Sequence, residues 1–104
     1  MNIQNWTATE WGVAATLALV GLGVPLNSYD FEFLIHNDKP SLYIVGTRDE
    51  FCPRDQMELL ARRLPPTSAV SWVEGADHFF THQVDQVQSR VRDFLHTQLE
   101  GHHL

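Results

Sequence analysis

The sequence predicts an α/β fold with a short parallel sheet of about three strands and flanking helices. Apolar runs alternate with amphipathic segments along the 104 residues, an order typical of βαβ units with right-handed crossovers. The first run, AATLALV, has no polar–apolar alternation, as expected for a strand that is covered on both faces. In such sheets the functional loops follow the C-terminal ends of the strands.

The first strand is predicted within residues 12–24, after a polar N-terminal extension, residues 1–10, whose structure the sequence leaves open. The Ala and Leu residues of this run also suit a helix. We favour a strand because Gly21, Gly23 and Pro25 end the run abruptly.

The second strand, SLYIVG, is the clearest one because it is rich in β-branched and aromatic residues. It is preceded by residues 27–38, which indicate a short turn and helix. Pro53 at a first helical position opens the next helix, DQMELLARRL, and the proline pair at 65–66 stops it. AVSWV is the third strand.

The last helix is predicted from about Gln83 to Leu99, so the α/β domain spans residues 11–99 and is followed by a tail at 100–104. Both helices carry an apolar stripe at helical spacing. The stripe of the first helix contains Met57, Leu60, Ala61 and Leu64, and that of the last contains Val84, Val87, Val91, Phe94 and Leu95.

The composition argues against several classes of protein. The net charge is -6 and the seven basic residues are scattered, whereas a nucleic-acid groove or an anionic membrane surface attracts through grouped Lys and Arg. A single cysteine cannot form an internal disulfide and fits a reducing compartment. The apolar stretch 11–26 is shorter than the roughly 20 residues of a membrane span, and residues 1–10 lack the basic start of a signal peptide. We therefore expect a soluble, cytoplasmic protein without nucleic-acid or membrane partners.

Two loop motifs follow the second and third strands: GTRDEF contains Asp49, and GADHFF contains His78. The segments KPSLYIVGTRDEFCP and VSWVEGADHFF, with one helix between them, resemble the C-terminal part of the α/β-hydrolase family, in particular small hydrolases related to dienelactone hydrolases and serine peptidases. VGLGVPLNSYDFEFL is similar to the family's sixth strand and the loop after it. The resemblance covers roughly residues 12–99, and it implies that Asp49 is the acid and His78 the histidine of a Ser–Asp/Glu–His triad.

Such a pair has a chemical use whatever the ancestry of the chain. A carboxylate orients the imidazole of a general base and stabilises its protonated form. The order of acid before histidine also agrees with the hydrolase order of nucleophile, acid and histidine. Asp49 and His78 are therefore the candidate catalytic pair.

The family's nucleophile motif, G-x-S-x-G, is missing from the sequence. None of the serines has the flanking glycines of that motif; they are Ser28, Ser41, Ser68, Ser71 and Ser89. We therefore predict a partial α/β-hydrolase fold that begins near the sixth strand, keeps the acid and histidine positions, has no nucleophile and is inactive alone. Two alternatives stay open: a subunit of a split ester or amide hydrolase whose separate chain carries the serine, and a non-catalytic homodimeric binding module.

Weaker signals surround the pair. Cys52 precedes a helix N-terminus, which could lower its pKa, but it lies on the acid loop, so a structural role is favoured. His78 and His82 have a four-residue spacing that zinc sites use on helices, yet no third ligand has a suitable spacing, and no metal or cofactor is predicted. Phe79 and Phe80 are expected to pack beneath the loop.

Self-association is the last expectation. Without an upstream neighbour, the first strand would present unpaired backbone groups that recruit another chain, and a two-fold dimer is the simplest result. Trp6, Trp11 and residues 13–24 would supply its interface. A further set of aromatic residues is predicted to lie in the core or in an interface: Tyr29, Phe31 and Phe33.

Overall fold

A computed structural model describes residues 19–101 of the chain. The elements in chain order are β1 (Leu19–Leu22), a 3-10 helix (Glu32–His36), β2 (Ser41–Gly46), α1 (Arg54–Ala61), β3 (Ser68–Val73) and α2 (Val84–Gly101). The strands form one sheet in the order β1-β2-β3, and both pairings are parallel. The predicted α/β fold with three parallel strands and flanking helices is confirmed. No helix within residues 19–101 is long and apolar enough to cross a bilayer.

The central strand, β2, is buried at every position because it has a strand on each side and packed side chains on both faces. Successive side chains of a strand point to opposite faces. Accordingly Tyr43 and Val45 join one core cluster with Met57 of α1, whereas Ile44 joins a second cluster with Val87 of α2. The two helices therefore cover opposite faces of the sheet, and full burial of a side chain such as Ile44 contributes about 1.5–3 kcal/mol.

The first strand differs from its prediction in extent and burial. It continues through Gly21 to Leu22, and none of its four residues is buried, so the expectation of a strand covered on both faces is wrong for residues 19–22. Gly21 serves packing rather than termination, because a Cβ there would lie 2.9 Å from Cδ1 of Tyr43. The earlier part of the predicted run lies outside the described residues, as do Trp6 and Trp11.

Several predicted positions also need correction. Pro53 is the N-cap of α1 with an extended ψ of 139°, and the helix begins at Arg54, because an N-cap residue lies outside the helical region. Val84, placed in the apolar stripe of α2, is half exposed at the start of that helix. Three aromatic residues were predicted to lie in the core or in an interface, and of these only Phe31 packs against the core. Tyr29 and Phe33 are exposed, so neither is a core residue, and an interface role for them stays a prediction.

Candidate functional site

Asp49 and His78 meet at the C-terminal edge of the sheet. Each lies in the loop that follows one of two adjacent parallel strands, β2 and β3. Oδ2 of Asp49 lies 2.9 Å from Nδ1 of His78. The pairing of these two residues, 29 positions apart, is the geometry that an acid–histidine pair requires.

The Asp49 carboxylate is fixed by its own loop. Oδ1 accepts the backbone N–H groups of Phe51 at 2.8 Å and Cys52 at 3.1 Å, and the side chain is fully buried. One oxygen therefore holds the turn while the other faces His78. Asp49 thus binds the backbone amides of its loop through one carboxylate oxygen and His78 through the other.

The imidazole of His78 is oriented so that one nitrogen remains available. An ionised carboxylate only accepts hydrogen bonds, so contact with Asp49 assigns the proton of the neutral ring to Nδ1 and the lone pair to Nε2. Within residues 19–101, Nε2 makes no hydrogen bond, and the side chain is 27% exposed. A proton acceptor with this tautomer and exposure suits general-base chemistry.

Two phenylalanine rings flank His78. The centroid of its ring lies 4.8 Å from that of Phe51 and 5.2 Å from that of Phe79. Phe80 is buried beneath the loop as predicted, but the same prediction is wrong for Phe79, which is 76% exposed. Sequence reasoning missed Phe51, and its place within the GTRDEF motif was the only available signal.

The acid and histidine loops are joined by one hydrogen bond between backbone groups and one between a backbone N–H and a side chain. The N–H of Arg48 donates to the carbonyl of Ala76 at 2.9 Å, and the N–H of Gly75 donates to Oγ1 of Thr47 at 2.7 Å. Gly46 allows this approach, because a Cβ at that position would overlap the Ala76 carbonyl. The mutual position of the pair is thus set mainly by main-chain packing.

Asp77 organises the histidine loop and is not the partner of His78. Its carboxylate accepts the N–H groups of Phe79 at 3.1 Å and Thr81 at 3.0 Å, and the hydroxyl of Thr81 at 2.7 Å. The bonds from Thr81 are the main reason that the pKa of Asp77 is lowered. The loop also holds two non-glycine residues at positive φ, Phe80 at 54° and His82 at 63°, a conformation that such residues seldom adopt.

The loop conformation also bears on the histidine spacing. His82 precedes α2 and has left-handed backbone geometry, so His78 and His82 do not share a helical face. Among residues 19–101, no group of three or more His, Cys, Asp or Glu side chains could hold a metal ion.

Cys52 is buried beside Asp49. Burial, followed by the nearby Asp49 charge, raises the pKa of the thiol from 9.0 to about 12. The helix N-terminus therefore does not activate this cysteine, and the possibility of a lowered pKa is wrong. Its place in the core cluster with Tyr43 and Met57 agrees with a structural role.

The serines of the described residues lie away from the Asp49–His78 contact. Ser41 and Ser68 begin β2 and β3, at the edge of the sheet opposite to the pair. Ser71 accepts a hydrogen bond from Arg90 on α2. Ser28 and Ser89 bond to neighbouring side chains. Among the serines of the described residues, none hydrogen-bonds to His78.

Comparison with known proteins agrees with this architecture. No protein-family model matches the chain. An uncharacterized protein from Rickettsia prowazekii (strain Madrid E) is 26% identical over 83 residues, which cover 75% of this chain and 35% of that protein. The crystal structure of a protein of unknown function from Agrobacterium tumefaciens, described as a candidate α/β hydrolase, matches with a TM-score of 0.72 and 25% identity.

The match to the Agrobacterium structure covers 89% of this chain and 48% of that chain. The chain thus spans about half the length of its structural relative and about a third of the length of its sequence relative. Together with the three parallel strands and their flanking helices, the match shows that this chain has an α/β-hydrolase-like fold.

Proposed function

We propose that Asp49 and His78 are the acid and the general base of an ester or amide hydrolase site whose nucleophile lies outside residues 19–101. The 2.9 Å contact between Oδ2 and Nδ1, with no hydrogen bond to Nε2 from residues 19–101, is the observation that carries the proposal. Nε2 of His78 would take the proton of a hydroxyl as that oxygen attacks the substrate carbonyl. Asp49 would stabilise the imidazolium, which then returns the proton to the leaving group.

The described residues alone are not expected to turn over an ester. A triad that loses one member loses most of its rate, and the remainder comes from the oxyanion hole and substrate binding. Cys52 does not replace the serine, because its thiol is buried and its pKa is raised. The chain therefore supplies a base and its orienting acid, and needs a nucleophile from another source.

The first test is hydrolysis of p-nitrophenyl acetate by the purified chain and by His78→Ala. His96→Ala is the matched control, because Nε2 of His96 contacts Glu100 at 2.9 Å on α2, away from the sheet edge. We expect all three proteins to show background rates. Turnover that disappears only in His78→Ala would contradict the proposed lack of a nucleophile.

The second test supplies the nucleophile. The chain is mixed with a polypeptide that carries the preceding strands and the G-x-S-x-G turn of an α/β hydrolase, and the serine is labelled with a fluorophosphonate probe. Wild type and His96→Ala should promote labelling, whereas His78→Ala and Asp49→Ala should not. Labelling that occurs equally with every variant would refute the role of the pair.

We also propose a two-fold dimer through the N-terminal apolar region, as a non-catalytic alternative. Within residues 19–101, β1 pairs with a strand on one side only, and Leu22 is half exposed there. An unpaired strand edge favours pairing with a second copy. Light scattering at micromolar concentration should give a dimer that Leu22→Glu weakens and Leu59→Glu, on exposed α1 surface, leaves intact. A wild-type monomer would contradict this proposal.

A further inference from the structure

We infer that Gly23 is a positioning residue: its missing side chain provides the space in which Asp49 and His78 touch. The residue directly follows β1, whereas Asp49 and His78 follow β2 and β3. The importance of Gly23 for catalysis rests on the function proposed above, whereas its effect on the hydrogen bond between Asp49 and His78 can be measured separately.

The geometry of Gly23 brings a third backbone segment against the pair. Gly23 is buried, and its N–H donates to the carbonyl of Ile44 at 2.8 Å, which ties it to β2. A Cβ at this position would lie 2.9 Å from Oδ2 of Asp49 and 3.1 Å from Nδ1 of His78. These are the two atoms that form the contact, and the first distance is too short for a real Cβ. Any side chain therefore acts on the contact itself.

The two members of the pair differ in how far they can move away from such a side chain, and the Asp49 carboxylate is the more fixed of the two. Oδ1 of Asp49 is held by two backbone N–H groups, and the carboxylate is fully buried. The His78 ring lies between Phe51 and Phe79, and the exposed Phe79 leaves the ring an outward path. We expect a methyl group at residue 23 to push the imidazole outward and lengthen the contact.

Two other glycines provide matched controls. Gly75 has a φ of 76°, similar to the 58° of Gly23, but a Cβ there would meet nothing within 4 Å. Alanine at either position carries the backbone cost of positive φ, and only one of them crowds the pair. A Cβ at Gly21 would crowd Tyr43 instead, so Gly21→Ala controls for a disturbance of β1.

The test is an NMR measurement of the His78 ring in the full chain. Wild type should show a downfield Nδ1–H proton and the ring ¹⁵N shifts of the Nδ1–H tautomer. Gly23→Ala should lose this signature, whereas Gly75→Ala and Gly21→Ala should keep it. An unchanged signature in a folded Gly23→Ala variant would overturn the inference.

A second measurement tests the inference even if Gly23→Ala folds too poorly for NMR. Gly23→Ala is introduced into wild type and into His78→Ala, and urea unfolding midpoints are compared. If the methyl group acts through the pair, the substitution should lower the midpoint less in the His78→Ala background, where the carboxylate has space to move. An equal loss in both backgrounds, or complete unfolding of both proteins that carry Gly23→Ala, would overturn the inference.

The two proposals fail in different ways. Retention of the NMR signature by Gly23→Ala contradicts the positioning role, whatever the activity of the reconstituted site. Loss of the signature together with unchanged fluorophosphonate labelling supports the positioning role of Gly23 and contradicts general-base catalysis by His78.

Discussion

The buried carboxylate of Asp49 binds two backbone N–H groups of its own loop and the imidazole of His78, and substitution by asparagine or alanine separates these contributions. Asparagine has the same shape and keeps one oxygen, which can still accept the N–H groups of Phe51 and Cys52. Its amide group would then face Nδ1 of His78 and donate to it. Alanine removes every one of these hydrogen bonds.

The expected magnitudes follow from which groups lose their partners. In Asp49→Ala the N–H of Cys52 is left buried and that of Phe51 partly buried. An unsatisfied buried group costs about 1–3 kcal/mol, so we expect a loss of ~2–4 kcal/mol in the free energy of unfolding. Asp49→Asn keeps both bonds in neutral form and should lose about 1 kcal/mol, because bonds to a charged acceptor are the stronger ones.

Urea unfolding measures the two free energies, and ¹⁵N NMR reports the tautomer of His78. Asp49→Asn should move the ring proton from Nδ1 to Nε2, which removes the free lone pair while the fold persists. The reasoning is wrong if both variants lose equal stability, or if His78 keeps its wild-type tautomer in Asp49→Asn.

Three further predictions concern the loops around the pair. Gly46→Ala should lower the free energy of unfolding by about 3 kcal/mol in a urea titration, because its methyl group overlaps the Ala76 carbonyl. A change of less than ~0.5 kcal/mol, which is typical of neutral surface substitutions, would contradict the close loop packing. The pKa of Cys52 is raised to about 12, so its contribution to stability is complete below pH 9 and is lost as pH rises towards 12. Wild type should therefore lose stability over that range faster than Cys52→Ala does, and equal slopes would refute this. Thr81→Ala should raise the lowered pKa of Asp77, because it removes the hydroxyl that donates to the carboxylate. An NMR titration of that carboxyl measures the change; since the folded pKa is the lower one, the stabilisation is present above the unfolded pKa and is lost as pH falls through the folded value.

Local strain accompanies the histidine loop. Phe80 and His82 have positive φ on either side of Thr81, within a turn that Asp77 stabilises by three hydrogen bonds. Strained backbone persists only where the surrounding structure holds it, and it clusters at functional sites. Burial of the Phe80 side chain and the bonds to Asp77 provide that support here.

Residue types in order along the chain were sufficient to predict the central architecture. SLYIVG is rich in β-branched and aromatic residues, and it forms the fully buried β2. The order of strands and helices predicted a parallel sheet, whose adjacent C-terminal ends bring Asp49 and His78 into the same region. These features were predictable because they depend on local propensity and on a general rule of connection.

Only the tertiary structure decided how the elements meet. Gly21 and Gly23 were both predicted to end the first strand, but Gly21 lies within β1 against Tyr43. Gly23 does follow the end of β1, and its position against the candidate pair was not visible in the sequence. The adjacent residues Phe79 and Phe80 differ in burial, because the first is exposed and the second is buried. The physical reason is the same in each case: burial, pKa and the space around a residue depend on partners that are distant in the chain, and periodicity along the chain carries no information about them.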